Sequence, residues 1–177
     1  MTDVALTFQA PASAPKQKRH RRFFANTALA MLVMVVGSFP LTYFRPLATG
    51  AGHFHPVIHF HAVAFFAWIF LYAWQTHLVA NGQVARHREL GLAGIALSAL
   101  MLPLGLIAAK AAIQRRMATG NPHPFDNTLY NMVDIGLFAL LMMSSISAVT
   151  RHSEWHRRFT FGAALCLVGP AISRWVL

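Results

Sequence analysis

The run from Val57 to Ala80 constrains the fold more than any other part of the sequence. It contains 24 residues and no Asp, Glu, Lys or Arg. A helix of that length is roughly 36 Å long, enough to cross a hydrocarbon core of about 30 Å. The whole chain is 56% hydrophobic and only 11% charged, whereas soluble domains carry about 25% charged residues. The sequence therefore predicts an all-α integral membrane protein.

Five apolar segments predict a bundle of about five transmembrane helices. We expect a basic, disordered cytoplasmic tail over residues 1–22, because its Pro, Ala and Ser residues cannot bury a core. Residues 23–177 are predicted to form a single transmembrane helical domain. The expected spans are 23–44, 57–80, 90–113, 127–149 and 159–177.

The basic residues predict the orientation of these helices. Ten of the 15 Lys and Arg residues fall in the segments 1–22, 81–89 and 150–158, which share one side if the spans alternate. Basic residues accumulate on the cytoplasmic side of membrane proteins. We therefore expect a multi-pass protein of the bacterial inner (cytoplasmic) membrane, with its N-terminus in the cytoplasm and its C-terminus in the periplasm. The same grouping excludes nucleic acid as a partner, despite the net charge of +10.

The chain is histidine-rich, and several of its ten histidines recur at helical spacing. His55 and His59 share one face of the second predicted span, and His77 returns to that face about five turns later. In the fourth span, His152 follows Asp134 by the same 18 residues. If the second and fourth spans are neighbours and pack on these faces, two polar layers form, with His59 near Asp134.

The inner layer predicts a haem site. His77 faces His152 in this arrangement, and His156 or His87 lies near them. Two imidazoles from different helices at one depth suit haem iron, and the absence of a Cys-x-x-Cys-His motif makes any haem non-covalent. Arginine suits the haem propionates. The predicted cofactor is haem b, with binding residues His77, His152, His156, Arg151 and Arg157.

The outer layer predicts a different kind of metal site. It combines imidazoles with a carboxylate, a ligand set that suits copper, zinc or non-haem iron better than haem. The candidate ligands are His55, His59, His61 and Asp134. We expect His61 to lie on the face of its helix opposite His59.

Several short motifs within residues 53–177 resemble a widespread family of small, uncharacterised bacterial multi-pass membrane proteins. These motifs are His59-x-His61, Gln75, His87-Arg88-x-Leu90-Gly91, His156-Arg157-Arg158-Phe159 and Gly169-Pro170-Ala171-Ile172-x-Arg174. The resemblance implies a helical bundle. The histidine layering is also similar to that of four-helix diheme b-type cytochromes, which implies haem and electron transfer, although the 18-residue spacing here is longer than theirs.

Three functions follow from these observations as open alternatives. The first is a membrane redox protein with b-type cytochrome-like electron transfer, in contact with a quinone. The second is a metal-binding protein that uses the outer histidine and aspartate cluster. The third is a non-catalytic accessory subunit of a larger membrane complex. In each case membrane lipids surround the chain, and no catalytic residue is assigned.

Overall fold

The computed structural model describes residues 15–50 and 54–176, and within these ranges the chain is helical with short connections and no β-strand. The predicted all-α fold is confirmed. The helices are α1 (Pro15–Phe39), α2 (Arg45–Ala48), α3 (Pro56–Ala80), α4 (Val84–Glu89), α5 (Gly91–Ala118), α6 (Thr128–Ala148) and α7 (Ser153–Val176), with a π-helical turn Pro40–Phe44 between α1 and α2.

Four helical stretches are long and apolar enough to cross a membrane. They span residues 21–48, 56–80, 84–118 and 128–148. The chain is thus a helical bundle of the integral membrane type. Helix α7 is of similar length, but it carries charged residues near both ends. These are Glu154, Arg157 and Arg158 near its start and Arg174 near its end. Its apolar part is therefore shorter, and a fifth crossing by α7 stays a prediction.

The five long helices pack as a ring in chain order. Helix α3 packs against α1 and α5, α6 packs against α5 and α7, and α7 closes onto α1. Short connections place consecutive helices beside each other. The second and fourth spans are not adjacent in this ring, contrary to the prediction, because α5 lies between α3 and α6; the two helices instead meet through side chains in the interior. Trp68 of α3 meets Phe138 of α6 there, with ring centroids 5.1 Å apart.

The first helix extends beyond both of its predicted ends. It begins at Pro15, inside the predicted tail, because the Lys, Arg and Gln residues that follow favour helix; residues 1–14 lie outside the described ranges. At its other end the helical path continues through Pro40, where a proline ring obstructs a regular α-turn. A π-helical turn absorbs this obstruction, and the backbone N–H of Arg45 donates to the carbonyl of Pro40.

Helix α3 turns a specific face to the interior. Phe65, Trp68 and Tyr72 are buried at helical spacing, in line with His61 before them and Gln75 after them. The opposite side carries exposed apolar residues, namely Phe60, Val63 and Phe70. The interior face of α3 is therefore the face of His61, not the face of His59.

Candidate functional site

Two imidazoles from different helices lie close together near the α3–α4 and α6–α7 connections. His87 belongs to α4 and His156 to the first turn of α7. Their ring centroids are 6.3 Å apart and the rings are inclined at 66°. Both side chains are half-buried.

The orientation of His87 is fixed by the turn that follows α3. Gly82 adopts a left-handed backbone conformation with φ of 77°, which glycine tolerates without strain, and α4 folds back along the end of α3. As a result His87 Nδ1 lies 2.7 Å from the side-chain oxygen of Gln75. An amide oxygen only accepts, so the ring donates from Nδ1, and the neutral ring keeps its lone pair on Nε2.

The orientation of His156 is fixed by the antiparallel packing of α6 and α7. Its Nδ1 lies 3.1 Å from the backbone oxygen of Ser145 and 2.9 Å from the hydroxyl of the same residue. In the tautomer that carries its proton on Nδ1, this ring donates to the carbonyl oxygen, which only accepts, and keeps its lone pair on Nε2. The fully buried Ser145 hydroxyl also bonds to Thr160 at 2.6 Å, which closes a local polar network.

Two cavities of about 310 and 260 Å³ adjoin this pair. They share part of their lining, which comprises Tyr72, Gln75, His87, His156 and Thr160. The larger cavity continues along apolar side chains, including Leu71, Ile95 and Met142. The smaller one continues toward Arg21 and Arg157. We call the two cavities with their histidine pair the inner site. It combines two imidazoles, apolar walls and a basic edge.

A third cavity, of about 300 Å³, lies at the other end of the bundle, between all five long helices. We call it the outer cavity. His61, Asp134 and Arg174 line it, and Nδ1 of His61 is buried there without a hydrogen-bond partner in the described part of the chain. The Arg174 guanidinium lies over the ring of Phe39, 4.4 Å from its centroid.

The structure brings together only part of the predicted haem set. His156 and Arg157 lie at the inner site. His77 is exposed, and its Nε2 lies 2.9 Å from the side-chain nitrogen of Asn81. Arg151 and His152 are exposed in the α6–α7 connection. The predicted pairing of His77 with His152 is therefore not formed, because α6 ends at Ala148 and does not continue in register to His152.

The four residues of the predicted metal site have separate surroundings. His55 caps α3 and accepts from the backbone N–H of Val57 at 3.3 Å. His59 forms a short hydrogen bond with the hydroxyl of Tyr43 on the preceding π-helical turn. His61 and Asp134 line the outer cavity instead. Across residues 15–50 and 54–176, no three His, Cys, Asp or Glu side chains converge to hold a metal ion, so this ligand set is not assembled.

Sequence reasoning missed the partners that fix the inner site. Ser145 continues the helix face of Asn127, Asn131 and Asp134 at helical spacing, but that spacing does not indicate a bond to His156, because a serine within a membrane helix usually bonds to its own helix. Gln75 gave one, since it shares the α3 face of Trp68 and Tyr72 and belongs to the motifs named above. Its pairing with His87 depends on the conformation of the α3–α4 turn, which cannot be predicted from residue spacing within a helix.

No family model matches the sequence, and no curated protein or solved structure matches it either. The resemblance to small bacterial membrane proteins stays a prediction.

Proposed function

We propose that this protein is a membrane electron-transfer protein of b-type cytochrome character, in which His87 and His156 bind the iron of a non-covalent haem b. The observation that carries the proposal is the shared arrangement of the two rings. Each comes from a different helix, and each commits its Nδ1–H to a protein acceptor. Both Nε2 lone pairs are thereby left for a ligand.

The pairing of the rings agrees with this role. Imidazole is a common ligand of haem iron, and two imidazoles from different helices could hold one haem between them. The observed separation of the ring centroids is 6.3 Å. Metal-binding histidines almost always donate their other ring N–H to a protein acceptor, which fixes the ring and its tautomer. Gln75 and Ser145 supply those acceptors here.

The charge around the inner site also fits a haem. Arg88 lines the larger cavity, and Arg21 and Arg157 line the smaller one. Arg157 donates to Glu154 at 2.7 Å through Nη2, but its Nε is buried without a partner in the described residues. Guanidinium groups bind carboxylates in a forked geometry, which suits the two propionates. When bound, the haem would supply one-electron transfer, while the chain holds and orients the imidazoles.

We also propose that the inner site lies on the cytoplasmic side of a bacterial inner membrane. Arg21 near the start of the first span and Arg157 at the start of α7 line one cavity, although they are far apart in sequence. The basic segments therefore gather at one end of the bundle, as expected for the cytoplasmic end. This supports a cytoplasmic N-terminus and a periplasmic C-terminus.

An absorption spectrum of protein purified after haem-sufficient expression tests the proposal. We expect Soret and α bands in the wild type, and the loss of both in His87→Ala and in His156→Ala. His77→Ala and His152→Ala are the matched controls, because both histidines are exposed, and both variants should keep the haem.

Four results would count against the assignment. A wild type without haem bands would overturn it, and haem loss in the control variants alone would refute the choice of ligands. Metal without porphyrin in elemental analysis would favour the non-haem alternative. A protein with neither, which purifies from native membranes only within a larger assembly, would favour the accessory-subunit alternative.

A further inference from the structure

We infer that the outer cavity binds the headgroup of a lipid-soluble quinone. The redox hypothesis already predicts contact with a quinone; the inference adds the place of that contact and its residues. It concerns the other end of the bundle from the histidine pair and stands with or without haem. It rests on the shape of the cavity, on its aromatic walls and on the balance of charge among His61, Asp134 and Arg174.

The middle of one helix presents small side chains to the cavity, between Met101 and Arg115 of the same helix. Helix α5 contributes Gly105, Ala108, Ala109 and Ala112, which recur at the spacing of one helical face. The walls include three phenylalanine rings, from Phe39, Phe65 and Phe138. A volume of about 300 Å³ lies at the lower end of the range for small-molecule sites, which is roughly 300–1,000 Å³. Flat rings pack well against aromatic walls.

Polar groups of three kinds converge on this apolar space. Arg174 only donates hydrogen bonds, the Asp134 carboxylate only accepts them, and His61 can do either. Nδ1 of His61 is buried and unpartnered among the described residues. Arg174 and Asp134 form no salt bridge with each other in residues 15–50 and 54–176. A buried polar atom such as Nδ1 of His61 normally has a hydrogen-bond partner, and a ligand in the cavity would supply it.

The balance of charge selects a neutral ligand. A lipid carboxylate would meet the negative charge of Asp134, and a ligand ammonium would meet the positive charge of Arg174. Arg115 lies at the rim, exposed, over the ring of Phe54 at 5.5 Å, and there it can interact with water. The two inward charges of opposite sign therefore favour a neutral molecule with polar atoms on two edges.

A quinone headgroup has this chemistry in both of its redox states. The two carbonyl oxygens of the oxidised form accept hydrogen bonds, which Arg174 and His61 can donate. The two hydroxyls of the reduced form donate hydrogen bonds, which Asp134 and His61 can accept. The long apolar tail of such a molecule keeps it in the bilayer, where the bundle lies. The outer cavity therefore suits either state without rearrangement of its charged groups.

Isothermal titration calorimetry of purified, quinone-depleted protein with ubiquinone-1 tests the inference. We expect saturable binding of one molecule per chain. Ala108→Phe should raise the Kd at least tenfold, because the new ring fills the cavity. Ala99→Phe is the matched control on the exposed side of the same helix, and it should bind as the wild type does.

A second variant guards against misfolding of the first. His61→Leu removes a buried unpartnered nitrogen, so the fold should persist, but ubiquinone-1 affinity should fall at least fivefold. The inference is overturned if the wild type shows no saturable binding, if Ala108→Phe and His61→Leu both bind normally, or if oleate binds as well as ubiquinone-1. Quinone binding without haem would refute the proposed function alone, and haem without quinone binding would refute this inference alone.

Discussion

The side-chain oxygen of Gln75 lies 2.7 Å from Nδ1 of His87, across the turn that joins α3 to α4. This contact fixes both the angle of the imidazole and the nitrogen that carries its proton. It also ties the short helix α4 to the interior face of α3. Gln75 is therefore the residue through which the first half of the chain positions the inner site.

Gln75→Leu should weaken haem binding without removing a ligand. The substitution takes away the acceptor for Nδ1–H, so the ring can rotate and exchange tautomers, and loss of such a partner typically costs about 10–100-fold in metal affinity. The measurement is a haem titration of apoprotein, followed by the Soret band. Gln83→Leu is the control, because the Gln83 side chain is exposed and accepts only a long bond of 3.4 Å from Arg86. Equal affinity in the two variants would exclude a positioning role for Gln75.

Gly169→Ala should disturb the outer cavity through Asp134. A Cβ added at Gly169 would lie 3.2 Å from Oδ2 of Asp134, so the carboxylate must shift. Because Ala favours a helix over Gly by a similar amount at both positions, we expect Gly169→Ala to be less stable than Gly136→Ala by on the order of 1 kcal/mol, and to bind ubiquinone-1 more weakly. Gly136→Ala is the matched control, since an added Cβ there meets no atom within 4 Å. Thermal unfolding in detergent compares the two, and equal midpoints would contradict the prediction.

The length of α3 could be predicted from sequence, but its rotation about its own axis could not. A membrane helix is apolar on its lipid side as well as on its protein side, so periodicity does not identify the interior. In α3, exposed Phe60 and Val63 are as apolar as buried Phe65 and Ile69. The choice between the faces of His59 and His61 therefore required the packing of neighbouring helices.

The inner site was only half predictable for a related reason. Counting 18 residues from Asp134 to His152 assumes one continuous helix, but α6 ends at Ala148 and a turn separates it from α7. The turn returns His156 to the level of Ser145, where the two hydrogen-bond. Helical spacing locates residues within one helix, whereas a site formed across a turn depends on tertiary structure.

A periplasmic C-terminus is expected if α7 crosses the membrane. Alkaline phosphatase is active only outside the cytoplasm, so a fusion after residue 177 should be active. A fusion within the α3–α4 turn, at residue 83, should be inactive, because that turn lies at the basic end of the bundle. If the fusion after residue 177 is inactive with alkaline phosphatase but active with a reporter that works only in the cytoplasm, α7 does not cross the membrane.

Ser98→Ala should destabilise the centre of the bundle. The indole N–H of Trp68, a residue that is 3% exposed, donates to the Ser98 hydroxyl at 2.8 Å. The same hydroxyl donates to the carbonyl of Gly94 at 2.7 Å. Without the hydroxyl the buried indole N–H has lost its acceptor, which costs roughly 1–3 kcal/mol. Denaturant unfolding in mixed micelles measures the change in the free energy of unfolding.

Ser147→Ala is the control for this substitution. Ser147 is exposed and donates only to the carbonyl of Met143, on its own helix, at 2.9 Å, so its removal should change stability by less than about 0.5 kcal/mol. In the double variant Trp68→Phe/Ser98→Ala, the effects should be less than additive, because each single change already breaks the same bond. Additive effects, or equal losses in Ser98→Ala and Ser147→Ala, would show that the bond between α3 and α5 contributes nothing to the stability of the bundle.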